Sequence, residues 1–102
     1  MGEGVLAKIR WLQPSEGGRP SPPSGPRYST VARFDTQSEE DWRKDAWSLV
    51  VYLDEPSNET YAQVARVHFL SNDARAPLDW LSTGRRFDLF EGSKKVAEGL
   101  VL

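Results

Sequence analysis

The chain contains no cysteine and a single histidine among its 102 residues. Without cysteine, disulfide bonds, thiolate catalysis and cysteine-based zinc sites are excluded. With His68 alone, metal sites built from several imidazoles are excluded, and no Ser–His–Asp set can be assembled. The acidic run Glu39-Glu40-Asp41 lacks the spacing of a calcium-binding loop. We therefore expect a protein that is not an enzyme and that has no catalytic residues, no cofactor and no bound metal.

Long apolar segments are also absent. No run approaches the roughly 20 residues that a membrane helix needs. The first residues, Met1-Gly2-Glu3-Gly4, lack the basic and apolar parts of a signal peptide. The net charge of −2 gives no bulk attraction to nucleic acid, although a local patch is still able to bind it. We therefore expect a cytoplasmic protein that does not bind a membrane.

Short apolar runs separated by turn signals make up most of the chain. Its length favours one domain, residues 1–102. Alternation of apolar and polar residues predicts six strands: Val5–Leu12, Tyr28–Phe34, Ala46–Leu53, Tyr61–Leu70, Phe87–Phe90 and Val96–Leu102. No long helical periodicity is present. This pattern is typical of a small antiparallel barrel or sandwich, and we favour an all-β, six-stranded antiparallel β-barrel.

Two connections leave alternatives open. The segment Pro14–Pro26 holds five of the seven prolines, so it is neither a helix nor a central strand. It is either a disordered linker or a loop that wraps the barrel, and we favour the loop. The polar segment Thr36–Asp45 is interpreted as a solvated loop, with one helical turn capped by Ser38 as the alternative. Within it, Trp42 is either a lid over the core or an exposed contact residue.

Two motifs at opposite ends of the chain carry a family resemblance. Gly84, Arg86 and Phe87 introduce the last predicted hairpin, whose turn contains Glu91-Gly92. Near the start, a strand leads into Glu16-Gly17-Gly18-Arg19 and a Pro-rich bend. In this order and at roughly this separation, the motifs resemble the third domain of elongation factor Tu. The resemblance implies a β-barrel that binds other molecules, without chemistry of its own and without GTP binding by this chain.

The same resemblance implies a candidate RNA contact. In that family the closing turn of the barrel lies against the T stem of aminoacyl-tRNA. The matching candidates are Glu91 and Gly92 in the turn, Lys94 and Lys95 beside it, and Arg19 of the first motif. Glycine allows the backbone to approach a ribose or phosphate closely, and the lysines supply charge. A tRNA-binding module is therefore one possible function.

A protein partner is the function that we favour from the sequence. The family's third domain packs against its GTPase domain and against an exchange factor. Apolar residues lie on both faces of the predicted strands, which indicates surface to be covered. The candidate interface residues combine aromatic and arginine side chains that are favoured at binding hot spots with an outward phenylalanine: Trp42, Tyr52, Trp80, Arg85, Arg86 and Phe90. We interpret the chain as a non-catalytic binding or adaptor module.

Overall fold

A computed structural model of the chain describes residues 4–18, 27–44, 46–53, 61–70 and 77–102. Within these residues six antiparallel strands close into a barrel with the neighbour order β1-β4-β3-β2-β5-β6. The strands are β1 (Val5–Trp11), β2 (Arg27–Phe34), β3 (Trp47–Tyr52), β4 (Ala62–Phe69), β5 (Arg86–Glu91) and β6 (Lys94–Val101). The predicted all-β class and six-stranded antiparallel barrel are confirmed.

Strand alternation decides which side chains fill the barrel. In β1, Ala7, Ile9 and Trp11 are buried, whereas Lys8 and Arg10 between them are exposed. Successive side chains of a strand point to opposite faces, so a period of two places one set inside and the other in solvent. The other strands contribute their inward residues to the same apolar core.

The closing hairpin departs from this period at one point. Leu89 lies opposite Ala97, but Phe90 lies opposite Lys95, so the register shifts between them. Val96 is the additional residue of β6, and both Val96 and Ala97 are fully buried. Such a bulge bends a strand locally. Gly92, with a φ of 65°, provides the positive φ of the turn that precedes β6.

A short helix, α1 (Glu39–Lys44), occupies most of the segment that we interpreted as a solvated loop, so that interpretation is wrong. The Ser38 hydroxyl accepts a hydrogen bond from the backbone N–H of Asp41 at 3.1 Å, which is the alternative capped turn. The indole N–H of Trp42 donates to the Ala32 carbonyl at 3.0 Å, and its ring centroid lies 4.7 Å from that of Phe90. Trp42 thus covers another side chain, but this is Phe90, an outward residue of β5, and not the core of the barrel.

The Pro-rich segment is described only at its start. Pro14–Glu16 forms a 3₁₀ turn, and Gly17 follows it with a φ of 84°. Residues 19–26, including the RNA-binding candidate Arg19, lie outside the described residues. The wrapping loop therefore stays a prediction.

Candidate functional site

Charged side chains of β1, of the turn after it and of the closing hairpin β5–β6 lie close to one another on the outer surface of the barrel. Arg10 Nη2 lies 2.7 Å from Glu98 Oε1, and Arg10 Nη1 lies 3.2 Å from Glu16 Oε2. Lys95 Nζ lies 2.7 Å from Glu98 Oε2 and 3.4 Å from Asp88 Oδ1. Charges of alternating sign therefore connect β1 and the turn after it with the closing hairpin. We call these five residues the ion-pair row.

Contacts within the ion-pair row shift the pKa values of Glu98, Glu16 and Lys95 toward the charged forms. Hydrogen bonds from Lys95 and then from Arg10 lower the pKa of Glu98. The backbone N–H of Gln13 and then the Arg10 side chain lower the pKa of Glu16. Partial burial of Lys95 opposes its charge, but the hydrogen bond with Glu98 and the attraction of Asp88 outweigh it, so its pKa is raised. The ion-pair row is therefore charged at neutral pH, and it connects β1 and the turn after it with the closing hairpin.

We expect Glu98→Gln to lower the free energy of unfolding at neutral pH, and to lower it by less in acid. The loss is up to about 1 kcal/mol, because exposed ion pairs contribute little. The folded-state pKa of Glu98 lies below its unfolded value of about 4.3, so the stabilisation is present above that value and disappears as the pH falls through the folded-state pKa. Urea unfolding of both proteins across this pH range measures the difference. Glu40→Gln, an exposed acid outside the row, is the control, and a difference independent of pH would contradict the assignment.

The RNA-binding candidates of the closing turn lie close together, but some of them already bind other groups of the chain. Gly92 and Lys94 are exposed at the tip of the hairpin. Glu91 accepts a hydrogen bond from the Tyr28 hydroxyl at 2.5 Å. Lys95 is held by two carboxylates of the ion-pair row, so a phosphate group would have to compete with them. RNA binding at this turn stays a prediction.

The aromatic interface candidates on helix α1, β5 and the segment before β5 mainly hold the fold together. Trp42 and Phe90 are half-buried and contact each other. Trp80, in the 3₁₀ turn Leu78–Leu81, lies with its ring centroid 5.2 Å from that of the buried Phe34. Each of these three side chains therefore has an aromatic contact within the chain.

Tyr52 belongs to a different part of the outer surface, together with His68. The Tyr52 hydroxyl lies 2.9 Å from His68 Nε2, and His68 Nδ1 lies 2.7 Å from the Phe69 carbonyl oxygen. A carbonyl oxygen only accepts, so in the neutral ring Nδ1 carries the proton and Nε2 accepts from Tyr52. The Arg66 guanidinium carbon lies 5.0 Å from the centre of the Tyr52 ring. Both ring nitrogens of His68 are thus engaged within the chain.

Arg85 and Arg86 lie where β5 begins, and Arg86 lines a pocket of about 430 Å³. Arg85 Nη1 lies 3.6 Å from Asp35 Oδ1, and the backbone N–H of Arg86 donates to Asp35 Oδ2 at 3.2 Å. Across the pocket, Arg33 Nε donates to the Gln37 carbonyl at 3.3 Å. The two contacts with Asp35 hold the segment after β2 against the start of β5.

Three of the exposed large aliphatic side chains, Leu6, Val64 and Leu102, share a face that the sequence did not single out. Leu6 is 56% exposed and Val64 is 55% exposed. Leu6 lies opposite Arg66 across β1 and β4, and its carbonyl accepts a hydrogen bond from the backbone N–H of Leu102 at 3.0 Å. We call this surface the β4–β1–β6 face and define it by six residues: Leu6, Lys8, Val64, Arg66, Leu100 and Leu102.

The strand register places these side chains next to one another. Lys8 lies opposite Val64 on one side and opposite Leu100 on the other. Side chains that lie directly opposite on neighbouring antiparallel strands have Cβ atoms about 4.5–5.5 Å apart, so the row is continuous. Leu102, which is 51% exposed, extends the apolar surface beyond the end of β6. Exposed apolar side chains that adjoin one another in this way are a feature of interaction sites.

Comparison of the chain with models of protein families, with curated proteins and with solved structures found no match. Within the described ranges, no group of three or more His, Asp or Glu side chains is placed to hold a metal ion. None of the helices in the part of the chain that the structure describes is both long and apolar enough to cross a membrane.

Proposed function

We propose that this chain is a non-catalytic module that binds a protein partner in the cytoplasm, in the manner of a free-standing barrel similar to the third domain of elongation factor Tu. The closed six-stranded barrel supports the coarser part of this likeness. The finer part rests on the two sequence motifs, and Arg10 joins Glu16 of the first motif to Glu98 on the last strand of the closing hairpin.

The observation that carries the proposal is the β4–β1–β6 face. Two of its aliphatic side chains, Leu6 and Val64, are more than half exposed, although the same barrel buries outward Val50 completely. Burying apolar area contributes roughly 25 cal/mol per Å², so covering such side chains favours association. Both side chains stand on strands that are paired on both sides in the closed barrel. A rigid surface of this kind loses little conformational entropy when it binds a partner.

The double variant Leu6→Ser/Val64→Ser is expected to abolish partner capture without unfolding the barrel. Both side chains are exposed, so their replacement should change stability by about 0.5 kcal/mol or less each. The tagged protein is incubated with lysate of its source cell after ribonuclease treatment, and retained proteins are compared between wild type and variant. Circular dichroism and thermal unfolding confirm that the variant is folded.

Leu70→Ser is the matched control for this capture experiment. Leu70 is 48% exposed and follows β4, six residues from Val64, which is about 20 Å along an extended strand. The control should retain the partner. If wild type and the double variant capture the same proteins, the β4–β1–β6 face is not the binding surface. Recovery of tRNA instead, lost in Lys94→Glu, would establish the RNA-binding alternative at the closing turn.

A further inference from the structure

Aliphatic and basic side chains alternate on the β4–β1–β6 face. Lys8 lies between Val64 and Leu100, and Leu6 is flanked by Arg66 on its β4 side. On the next strand, Arg86 lies opposite Leu100 and adds a third cation. Every charged side chain in these rows is therefore positive, although the whole chain has a net charge of −2.

These cations differ from those of the neighbouring ion-pair row. In that row, carboxylates compensate Arg10 and Lys95. Within the described part of the chain, by contrast, Lys8, Arg66 and Arg86 form no ion pair. Arg66 lies over the Tyr52 ring, a contact that keeps its charge. The face thus combines uncovered aliphatic surface with uncompensated positive charge, and both are complementary to an acidic, apolar ligand.

The barrel also restricts the backbone conformation of such a ligand. All six strands of the described residues pair on both sides, so this face offers no free strand edge. The N–H and C=O groups of an extended segment lying on it would find no partner on the barrel, whereas a helix satisfies most of its own groups internally. Val64 and Leu100 are two strand spacings apart, about 10 Å, which is close to the diameter of an α-helix with its side chains.

We propose that the β4–β1–β6 face binds an acidic amphipathic helix of a partner protein. Aliphatic side chains at helical spacing contact Leu6, Val64 and Leu100, and flanking Asp and Glu side chains pair with the three cations. This inference rests on the proposed protein-binding function, and it specifies the chemistry of the partner.

A selection experiment tests the chemistry without assuming a partner. A display library of randomised helical peptides is selected on the immobilised full chain and counter-selected on Leu6→Ser/Val64→Ser. We expect the enriched peptides to carry Leu, Ile or Val at positions i, i+3, i+4 and i+7 and to be net negative. Enrichment of neutral or basic peptides, of peptides without helical spacing, or of none would overturn the inference.

Charge dependence is then measured with the most enriched peptide, labelled with fluorescein, by fluorescence anisotropy. Lys8→Gln/Arg66→Gln is expected to weaken binding about tenfold, and raising the salt concentration should weaken wild-type binding in the same direction. Lys44→Gln, an exposed lysine of α1 outside the face, is the matched control and should bind as wild type does. Equal affinity of the double charge variant and wild type would overturn the acidic part of the inference.

Other occupants of the face give different results. Co-sedimentation with vesicles of phosphatidylserine and phosphatidylcholine, lost in Leu6→Ser/Val64→Ser, would assign the face to an anionic lipid surface and overturn the inference. A dimer of the chain alone in sedimentation velocity, lost in the same variant, would assign it to a second copy and overturn the inference as well. Capture of a lysate protein that depends on Leu6 and Val64 but not on Lys8 and Arg66 would leave the proposed function intact and overturn this inference.

Discussion

Replacing Phe34 with alanine is expected to lower the free energy of unfolding by about 3–5 kcal/mol. Phe34 is 1% exposed, and its ring centroid lies 5.2 Å from that of Trp80, 5.7 Å from Phe87 and 5.9 Å from Phe69. Removing this ring loses the transfer free energy of the buried atoms and leaves a cavity. A natural domain has about 5–15 kcal/mol of stability, so the variant should be close to unfolding at 37 °C.

Urea unfolding followed by tryptophan fluorescence measures the effect. Phe34→Leu keeps most of the volume and is expected to lose less, about 1.5 kcal/mol. Trp80→Ala should be destabilising too, and its effect should not add to that of Phe34→Ala, because the two side chains are in contact. A loss below about 1 kcal/mol for Phe34→Ala would show that this end of the barrel is not a packed core.

The position of Phe34 in the core could be predicted because the strand signal is local. Alternation over five to eight residues, bounded by Gly, Pro or polar turns, is enough to indicate a strand and its two faces. Each of the six predicted strands overlaps one strand of the barrel. In β1 the alternation places Val5, Ala7, Ile9 and Trp11 on one face, and this is the face that the barrel turns inward.

Features that depend on neighbouring elements were not predictable in this way. By the alternation, Leu12 belongs to the same face as Lys8 and Arg10, which is polar. It is nevertheless buried, and its backbone N–H donates to the Val96 carbonyl at 2.9 Å. Val50 points outward in the alternation, yet it is 0% exposed. Helix α1 has six residues, too few for helical periodicity to be recognised, and the contacts of Trp42 with β2 and β5 hold it in place.

The candidate site was missed for the same reason. The alternation of β1 places Leu6 on the solvated face together with Lys8, which is correct. It does not show that Val64 and Leu100 lie on either side of Lys8, because that depends on the register of β1 with two strands that follow much later in the chain. A solvated face with isolated leucines is ordinary, whereas the same leucines beside aliphatic residues of neighbouring strands form a continuous surface.

Gly99→Ala is expected to destabilise the barrel by about 1–3 kcal/mol through overpacking. A Cβ atom at Gly99 would lie 2.2 Å from Cζ and 2.3 Å from Cε1 of the Phe87 ring, far inside contact distance. The ring cannot move aside cheaply, because Phe87 is 2% exposed and packs against Phe34. The backbone of Gly99 does not have the positive φ that favours glycine, so the added methyl group is the main source of the cost.

A double-mutant cycle with Phe87→Leu separates this mechanism from general damage. Leucine lacks the ring atoms that the new methyl group meets, so Gly99→Ala should cost clearly less in the Phe87→Leu background, by urea unfolding, than in wild type. Gly92→Ala provides the contrast, because a Cβ atom there would have no neighbouring atom within 4 Å, and the φ of 65° is the source of strain. Its cost should be the same in both backgrounds. If the costs of Gly99→Ala and Phe87→Leu simply add, the ring at position 87 is not what requires glycine on β6.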